Sequence, residues 1–148
     1  MRVLVDTSVW SLALRRQAAN LNAEERMLTQ ELRDLIRKHR AELIGLIRQE
    51  LLSGIREEPH YERLRAHLRA FPDEPLTTPD FELAARLSNQ CRASGIAGSV
   101  VDFLICAVAA ARDWAIFTTD PDFRNYARVL GIRLHSAPSS TPPRPIRF

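Results

Sequence analysis

Near its N-terminus the chain contains RVLVDTS (residues 2–8), an apolar run that ends in an aspartate and two hydroxyl residues. Val3, Leu4 and Val5 predict a short strand, because apolar and β-branched residues favour strands and Asp-Thr-Ser favours a turn. Asp6 therefore stands at the carboxyl end of a predicted strand. An ionised carboxylate near the core is costly unless it is hydrogen-bonded, paired or bound to a metal, so Asp6 needs a partner.

Strand and helix patterns alternate along the rest of the chain. Strands are predicted at 2–6, 42–45, 114–117 and 132–134, with another near Leu76, and helices at 8–15, 23–40, 46–56, 59–71, 79–95, 99–112 and 121–130. Thr78 is the predicted cap of the helix that begins at Pro79. The nearly all-apolar segment 99–112 predicts a central, buried helix. This alternation predicts a three-layer α/β/α sandwich around a short, mostly parallel sheet.

Length and composition predict one compact domain. The 148 residues, 45% of them hydrophobic, are enough for a real core but too few for two ordinary domains. We expect this domain at residues 1–135 and an extended or disordered tail at 136–148, which holds four of the nine prolines. Nothing resembles a secretory signal or the run of about 20 apolar residues that spans a membrane, so we expect a cytoplasmic protein without membrane association.

The basic residues are unusual in kind. The formal net charge is +3, and all of the 21 basic residues except Lys38 are arginines. Arginine binds phosphate with a planar fork, which suits a nucleic-acid partner, but a GC-rich coding bias explains the same composition. Between residues 26 and 69 the arginines alternate with acids, a pattern typical of a solvated surface. Cys91 and Cys106 lie in apolar helical patterns and are expected to be packed thiols.

Four more acids join Asp6 in apolar surroundings or after strands. Asp120 and Asp122 follow a predicted strand, and Asp102 lies in the first turn of the central helix. Because ligands bind beyond the carboxyl ends of strands in an open parallel sheet, we expect these acids to converge there. Glu50 follows the second strand by one helical turn, although a single helical glutamate is usually solvated.

Each of these acids also has a local explanation. Ser99 and Asp102 fit a capping box, Asp120 fits an N-cap before proline, and Asp122 suits the positive end of a helix dipole. Asp6 could cap the helix that follows it. Capping does not explain why five acids are predicted at one sheet edge, whereas a cation site does. Oxygen ligands without histidine or cysteine favour Mg²⁺ or Mn²⁺ over zinc.

Four pieces of the chain resemble the acidic motifs of PIN-domain ribonucleases. They are VDTSVW (5–10), RQELLSG (48–54), VDFLICA (101–107) and TTDPDF (118–123). Their order and spacing are most similar to VapC-type toxins of bacterial toxin–antitoxin pairs, and the resemblance covers residues 1–135. The sequence departs slightly from the family pattern, with Cys106 where a small residue is common and with a longer, proline-rich tail.

The resemblance implies a PIN fold and an endoribonuclease that uses Mg²⁺, or Mn²⁺ as a substitute. It also implies a homodimer and a cognate antitoxin. A carboxylate such as Glu50 or Asp120 would help to deprotonate the water that attacks an RNA phosphate. The resemblance implies four metal-holding and catalytic acids, which are Asp6, Glu50, Asp102 and Asp120. It also implies that Asp122 is an auxiliary acid and that the hydroxyls of Ser8 and Thr118 orient the carboxylates.

Other functions fit parts of the pattern. A receiver-type signalling domain would need a lysine at a late strand end, and Lys38 is early and helical. A haloacid-dehalogenase-like phosphatase would need an aspartate where Ser8 stands. A PIN-like module that binds RNA or protein without cutting it remains an alternative. Apolar residues on the helices of 23–40 and 46–68 are expected either to form a partner surface or to pack in the core.

Overall fold

The computed structural model describes residues 1–138, so residues 139–148 of the predicted tail lie outside the described part. Four strands are present: β1 (Val3–Val5), β2 (Ala41–Glu42), β3 (Ala115–Phe117) and β4 (Arg133–Leu134). The helices are α1 (Thr7–Leu14), α2 (Ala23–Arg37), α3 (Gly45–Leu52), α4 (Glu58–Leu68), α5 (Thr78–Ala93), α6 (Val100–Arg112) and α7 (Asp122–Val129), with a 3₁₀ turn at Ala18–Asn20.

The four strands form one parallel sheet in the order β2-β1-β3-β4. Val3 pairs with Ala115 and Val5 with Phe117, so β1 and β3 end side by side. The Asp6 backbone N–H extends this pairing by donating to the Phe117 carbonyl at 2.9 Å. Sequence order reverses between β1 and β3, which is where open α/β sheets place their ligand sites.

Helices cover this sheet and complete the predicted α/β/α sandwich. Every residue of β1 and β3 is buried, and α6 contacts both strands. The seven α6 residues from Phe103 to Ala109 are all buried, which confirms that this apolar segment is the central helix. Helix α5 packs along α6, while α1 packs on α2 and α3.

Trp10 fixes α1 against the end of β1. Its indole ring is fully buried, its Nε1–H donates to the Val5 carbonyl at 3.0 Å, and the ring meets Phe71 edge-on at 5.1 Å. The start of α1 is therefore held against the end of β1, next to Asp6. This arrangement gives Asp6 and Ser8 defined positions.

Three predicted helices end at least three residues earlier than their patterns suggested, and one of them is α4, which stops at Leu68 rather than residue 71. Helix α2 stops at Arg37 rather than residue 40, because His39 adopts a left-handed conformation with φ of 55°. Helix α3 stops at Leu52 rather than residue 56, where Ser53 turns extended and Gly54 takes φ of 83°. The break after α2 leads into β2, and the break after α3 leads into the loop before α4.

The predicted strand near Leu76 is absent. That part of the chain contributes one isolated parallel bridge, between Leu43 and Asp73. Prolines at 72 and 75 lack the N–H groups that a ladder needs, so the pairing does not extend.

The cap of α5 also differs from the prediction by one residue. Thr77, not Thr78, is the N-cap, since its backbone N–H donates to the Asp80 carboxylate at 2.9 Å. Pro79 consequently occupies the second helical position rather than the first. Asp80, three residues after Thr77, fixes the cap at Thr77 because its carboxylate accepts the Thr77 backbone N–H.

The apolar residues of α2, α3 and α4 belong mainly to the core. Leu32, Leu35, Ile47, Leu51 and Leu64 are buried, so core packing accounts for these helices better than the alternative of a partner surface. Within residues 1–138 the exposed large hydrophobic side chains lie elsewhere, at Met1, Phe81 and Val100.

Both cysteines are buried free thiols, as predicted. Among the described residues, no helix is both long enough and apolar enough to cross a lipid bilayer.

Candidate active site

Asp6 is a buried acid held by two hydroxyl groups. Only 8% of the residue is exposed, and its Oδ2 accepts hydrogen bonds from Thr118 Oγ1 at 2.8 Å and Ser8 Oγ at 3.0 Å. Burial raises the pKa of Asp6, and the charge of Asp102 raises it further, while the hydroxyl bonds partly offset both effects. The hydrogen bonds to Asp6 therefore offset only part of the free-energy cost of burying its ionised carboxylate.

The same two hydroxyls organise the loop after β3. Ser8 Oγ accepts a hydrogen bond from the backbone N–H of Thr119 at 3.0 Å, and Thr118 Oγ1 accepts one from the N–H of Asp120 at 3.0 Å. Each hydroxyl thus donates to Asp6 and accepts from the loop. The ends of β1 and β3 are locked together through these side chains, as the predicted orienting role of Ser8 and Thr118 requires.

Glu50 faces the same edge from α3. Its Oε1 accepts a hydrogen bond from Thr7 Oγ1 at 3.1 Å. Burial raises the pKa of Glu50, and the nearby charges of Asp6 and Asp102 add to that rise. These mutual effects place Glu50 in one electrostatic unit with Asp6 and Asp102.

Asp102 lies in the first turn of α6, where its backbone N–H donates to the capping Ser99 Oγ at 3.1 Å. Its own carboxylate is turned to another partner, since Oδ2 accepts a 2.6 Å hydrogen bond from the Tyr126 hydroxyl. Ser99 caps the helix as predicted, but its bond is to the Asp102 backbone and not to the Asp102 carboxylate. Capping therefore does not account for the acid.

Asp120 and Asp122 bring the loop after β3 toward Asp102. Asp120 Oδ1 accepts a hydrogen bond from the N–H of Asp122 at 2.9 Å, which folds the loop into the start of α7. One carboxylate oxygen from each of Asp102, Asp120 and Asp122 lies within 4.8 Å of the others. Within residues 1–138, this three-carboxylate group contains Asp122, the predicted auxiliary acid, and does not contain Asp6 or Glu50.

The donor set fits a hard divalent cation. All three residues offer carboxylate oxygens, with no sulfur or imidazole, which suits Mg²⁺ or Mn²⁺. Three carboxylate oxygens within 4.8 Å of one another repel each other unless a counter-charge is present. A bound cation would relieve that repulsion.

The sequence matches a family model over most of its length. The model of the PIN domain aligns with residues 3–129. The chain belongs to the PIN domain family. The receiver-type and phosphatase alternatives are thereby excluded, and the predicted family is confirmed.

Solved structures show the same fold as this PIN domain. FitAcB from Neisseria gonorrhoeae is 20% identical with a TM-score of 0.72, and the match covers 91% of this chain and 97% of that one. VapBC2 from Rickettsia felis, bound to a DNA fragment from its promoter, is 15% identical with a TM-score of 0.69, covering 91% and 98%. VapBC-1 from nontypeable Haemophilus influenzae is 11% identical with a TM-score of 0.67, covering 92% and 98%. Among curated proteins, none matches this PIN domain.

Two residues that contact the acids were not predicted. Tyr126 stands four residues after Asp122, a helical spacing that places both on neighbouring turns of α7 and that could have revealed it. Thr7 lies between two predicted site residues, and its hydroxyl type was the available signal. Both were missed because their partners, Asp102 and Glu50, lie 24 and 43 residues away.

An open cleft lies beside the acids of this PIN domain. Its volume is about 580 Å³, and Ser8, Thr118 and Asp120 form its wall nearest the site. Arg16 and Arg124 also line it. The Arg16 guanidinium is paired at 2.6 Å with a glutamate at the start of α2, whereas Arg124 has no ion pair within residues 1–138. Within residues 1–138, Arg124 is therefore a cation without an ion pair that lines the cleft next to the acidic edge.

Proposed function

We propose that this PIN domain is a Mg²⁺- or Mn²⁺-dependent endoribonuclease and the toxin of a toxin–antitoxin pair, with residues 1–135 as the nuclease domain. The convergence of acids from four separate segments at the carboxyl edge of β1 and β3 carries the proposal. Glu50, Asp102 and the Asp120–Asp122 loop all meet the edge where Asp6 leaves β1. Members of the family are nucleases, which supports the same chemistry here.

The close acid group would hold the cation. Asp102, Asp120 and Asp122 supply oxygens at compatible separations, and Asp6 lies within the same electrostatic unit. When bound, a divalent cation neutralises charge on a phosphodiester and lowers the pKa of water. Ser8 and Thr118 keep the Asp6 carboxylate in one orientation, because both donate to its Oδ2. Both hydroxyl bonds are to Oδ2 rather than to Oδ1.

Glu50 is the candidate proton acceptor. Burial and the neighbouring acids raise the pKa of Glu50, which makes its carboxylate a stronger base than an exposed glutamate. The Thr7 hydroxyl holds Oε1, so Oε2 remains for the proton of the attacking water. The raised pKa and the fixed orientation together suit general-base catalysis.

The cleft provides room for the RNA strand. Ser8, Thr118 and Asp120 form its wall at the acids, and Arg124 offers an unpaired guanidinium for a phosphate. A strand in this cleft would pass the acidic edge with its backbone near a positive charge. This arrangement supports RNA hydrolysis more than binding alone.

A cleavage assay tests this function directly. Purified protein is incubated with single-stranded RNA and either Mg²⁺, Mn²⁺ or a chelator. We expect metal-dependent cleavage by the wild type and a loss of about 100-fold or more in Asp6→Asn and Asp102→Asn. Asp113→Asn is the matched control, because Asp113 is 90% exposed at the far end of α6 and should retain full activity.

Equal cleavage by all four proteins would mean that a contaminant or another site cuts the RNA. RNA binding without cleavage by the metal-loaded wild type would favour the alternative of a non-catalytic PIN module.

The toxin role rests on likeness to named relatives. The match covers nearly the whole length of the matched chain in the FitAcB structure and in the VapBC2 structure. The acidic motifs of this chain resemble those of VapC-type toxins. We infer a cognate antitoxin encoded beside this chain and a homodimer as the working form. Expression of the wild type should arrest bacterial growth, and expression of Asp102→Asn should not. Growth that is restored by the neighbouring gene product would identify the antitoxin, and light scattering would give the oligomeric state.

A further inference from the structure

A buried phenol reaches the acidic site. Tyr126 is fully buried, yet its hydroxyl donates to Asp102 Oδ2 at 2.6 Å. The ring is held by Phe103 and Phe123, with centroids 5.1 and 5.2 Å away. Aromatic neighbours on two sides leave the hydroxyl one direction, toward the acid. The bond therefore restricts Asp102 more than a flexible surface side chain would.

Gly98 provides the space for this hydroxyl. A Cβ at position 98 would lie 2.5 Å from the Tyr126 hydroxyl oxygen and 2.9 Å from two ring carbons of Phe103. Its backbone is not in the left-handed region, unlike Gly54 and Gly95, so conformational freedom does not explain the glycine. The absence of a side chain is what the packing requires.

Tyr126 is a hydrogen-bond donor to the acidic site. A phenol carries one O–H donor at neutral pH, and the 2.6 Å bond to Asp102 Oδ2 uses it. A neutral donor among three acids can orient a carboxylate without neutralising it, which is the usual role of groups that support metal ligands.

We propose that Tyr126 is a positioning residue that fixes Asp102, leaving the second Asp102 oxygen to share a cation with Asp120 and Asp122, and that Gly98 keeps the space this bond needs. The inference rests on the proposed metal-dependent function. It adds that the Asp102 carboxylate is oriented by a residue of α7 and by a glycine in the loop before α6, and not only by residues of the four acidic motifs.

Metal binding is the readout that tests this role. Mn²⁺ affinity is measured by calorimetry for the wild type, Tyr126→Phe and Tyr61→Phe, which replaces the one other tyrosine of the chain. Tyr126→Phe keeps the buried ring and should weaken Mn²⁺ binding by about 10-fold to 100-fold. Tyr61→Phe should bind as the wild type does. RNA cleavage lost at low Mn²⁺ should return at saturating Mn²⁺, because the defect lies in the affinity for the metal.

Gly98→Ala tests the same bond while keeping the tyrosine. It should weaken Mn²⁺ binding, because the new methyl group displaces the hydroxyl. In the Tyr126→Phe background, adding Gly98→Ala should cause a smaller further loss than in the wild type, because the clash with the hydroxyl is gone and only the contact with the Phe103 ring remains. The same fold-loss in both backgrounds would show that Gly98 does not act through this hydroxyl.

The outcomes separate the two proposals. Unchanged Mn²⁺ affinity in Tyr126→Phe overturns the positioning role, whatever the RNA assay shows. A wild type that binds Mn²⁺ but cuts no RNA overturns the ribonuclease proposal, while a weaker affinity in Tyr126→Phe still supports the positioning role. A wild type that binds no Mn²⁺ overturns both.

Discussion

Asp6 illustrates how a functional carboxylate is retained against its own cost. Two hydroxyl donors favour its ionised form, but burial outweighs them and raises its pKa. A residue selected only for stability would not combine burial with the negative charge of Asp102 nearby. The balance makes sense if a cation completes the site, because the counter-charge then stabilises the ionised form.

Asp6→Asn is expected to stabilise the metal-free protein at pH 7 while removing metal binding. A raised carboxyl pKa contributes stability that is fully present below the ordinary pKa and is lost as pH rises through the folded-state pKa. The wild type therefore carries the cost at pH 7, and the neutral asparagine does not. Each kcal/mol relieved should raise Tm by about 2–4 °C.

Thermal unfolding with a chelator at pH 7 and at about pH 3, below the ordinary carboxyl pKa, measures this effect. The advantage of Asp6→Asn over the wild type should vanish at the lower pH. Asp113→Asn, at a site that is 90% exposed, should leave Tm unchanged at both. A Tm at pH 7 that is lower in Asp6→Asn than in the wild type would contradict the expectation.

Thr118→Val is expected to weaken Mn²⁺ binding by about 10-fold. Valine has nearly the shape of threonine but neither donates to Asp6 nor accepts from the Asp120 N–H, so both acids lose their orientation. Calorimetric titration with Mn²⁺ measures the change. Thr29→Val removes a buried hydroxyl that binds a carbonyl within α2, and this control should alter stability but not metal affinity. Equal affinities in the two variants would refute the orienting role.

Among the helices, the α5–α6 pair is joined by an ion-pair cluster away from the acids. The Arg112 guanidinium at the end of α6 binds Glu74 at 2.7 Å and both oxygens of Asp80 at 2.9 and 3.0 Å. The same guanidinium lies 5.8 Å from the centre of the Trp114 ring. These contacts hold α6 in place at its C-terminal end, and the N-terminal end of α6 carries Asp102. The cluster therefore supports the site through the helix.

Arg112→Leu should destabilise the protein by about 3 kcal/mol, because it leaves the buried Asp80 charge unpaired. Arg112 lowers the pKa of Asp80 to about 2. That contribution is present above the ordinary carboxyl pKa and is lost as pH falls through about 2. Urea unfolding at pH 7 measures the full loss.

Arg65→Leu is the matched control for this prediction. Arg65 pairs with Glu62 on the surface, where the two side chains are 43% and 46% exposed. Its loss should cost far less than the loss of Arg112, because solvent screens an exposed ion pair. A similar loss in the two variants would mean that the Arg112 cluster has no special weight.

At the scale of the whole molecule, the net positive charge attracts RNA, whereas the acids at the sheet edge repel it. The formal net charge is +3, although five acids gather at one sheet edge. RNA would approach a positive protein and reach a negative site, and a bound cation would reverse the local sign. Arg124, which has no ion pair within residues 1–138, lines the cleft beside this edge.

Arg124→Gln should weaken RNA binding and reduce its salt dependence. Losing one contact to a single-strand phosphate should lower the slope of log K against log salt by about 0.7. Fluorescence anisotropy of an RNA oligonucleotide measures this, with Asp102→Asn in both proteins to prevent cleavage. Arg86→Gln on α5, outside the cleft, should leave the slope unchanged. The same slope for Arg124→Gln as for the parent would exclude a phosphate contact in the cleft.

Local patterns were enough to predict β1, β3, β4 and the central helix, but they placed the second strand at 42–45 rather than at Ala41–Glu42 and added a strand near Leu76 that is not formed. Val3–Val5 and the apolar run of α6 follow from the character of neighbouring residues, which acts over a few positions. The helix ends were less predictable. His39 enters the left-handed region and Thr77 is chosen as the cap by Asp80, so single conformations and contacts decided these boundaries.

Which acids come closest was settled by packing between distant segments. Asp122 joins Asp102 and Asp120, and Tyr126 reaches Asp102 across 24 residues, because α6 and the start of α7 meet at the same edge. Sequence patterns report propensities over one or two turns. Distances between carboxylate oxygens depend on how helices and strands pack, and that information is spread over the whole core. The acids could therefore be proposed as site residues from the sequence alone, whereas their distances from one another and the contact of Asp102 with a buried tyrosine are set by the folded arrangement.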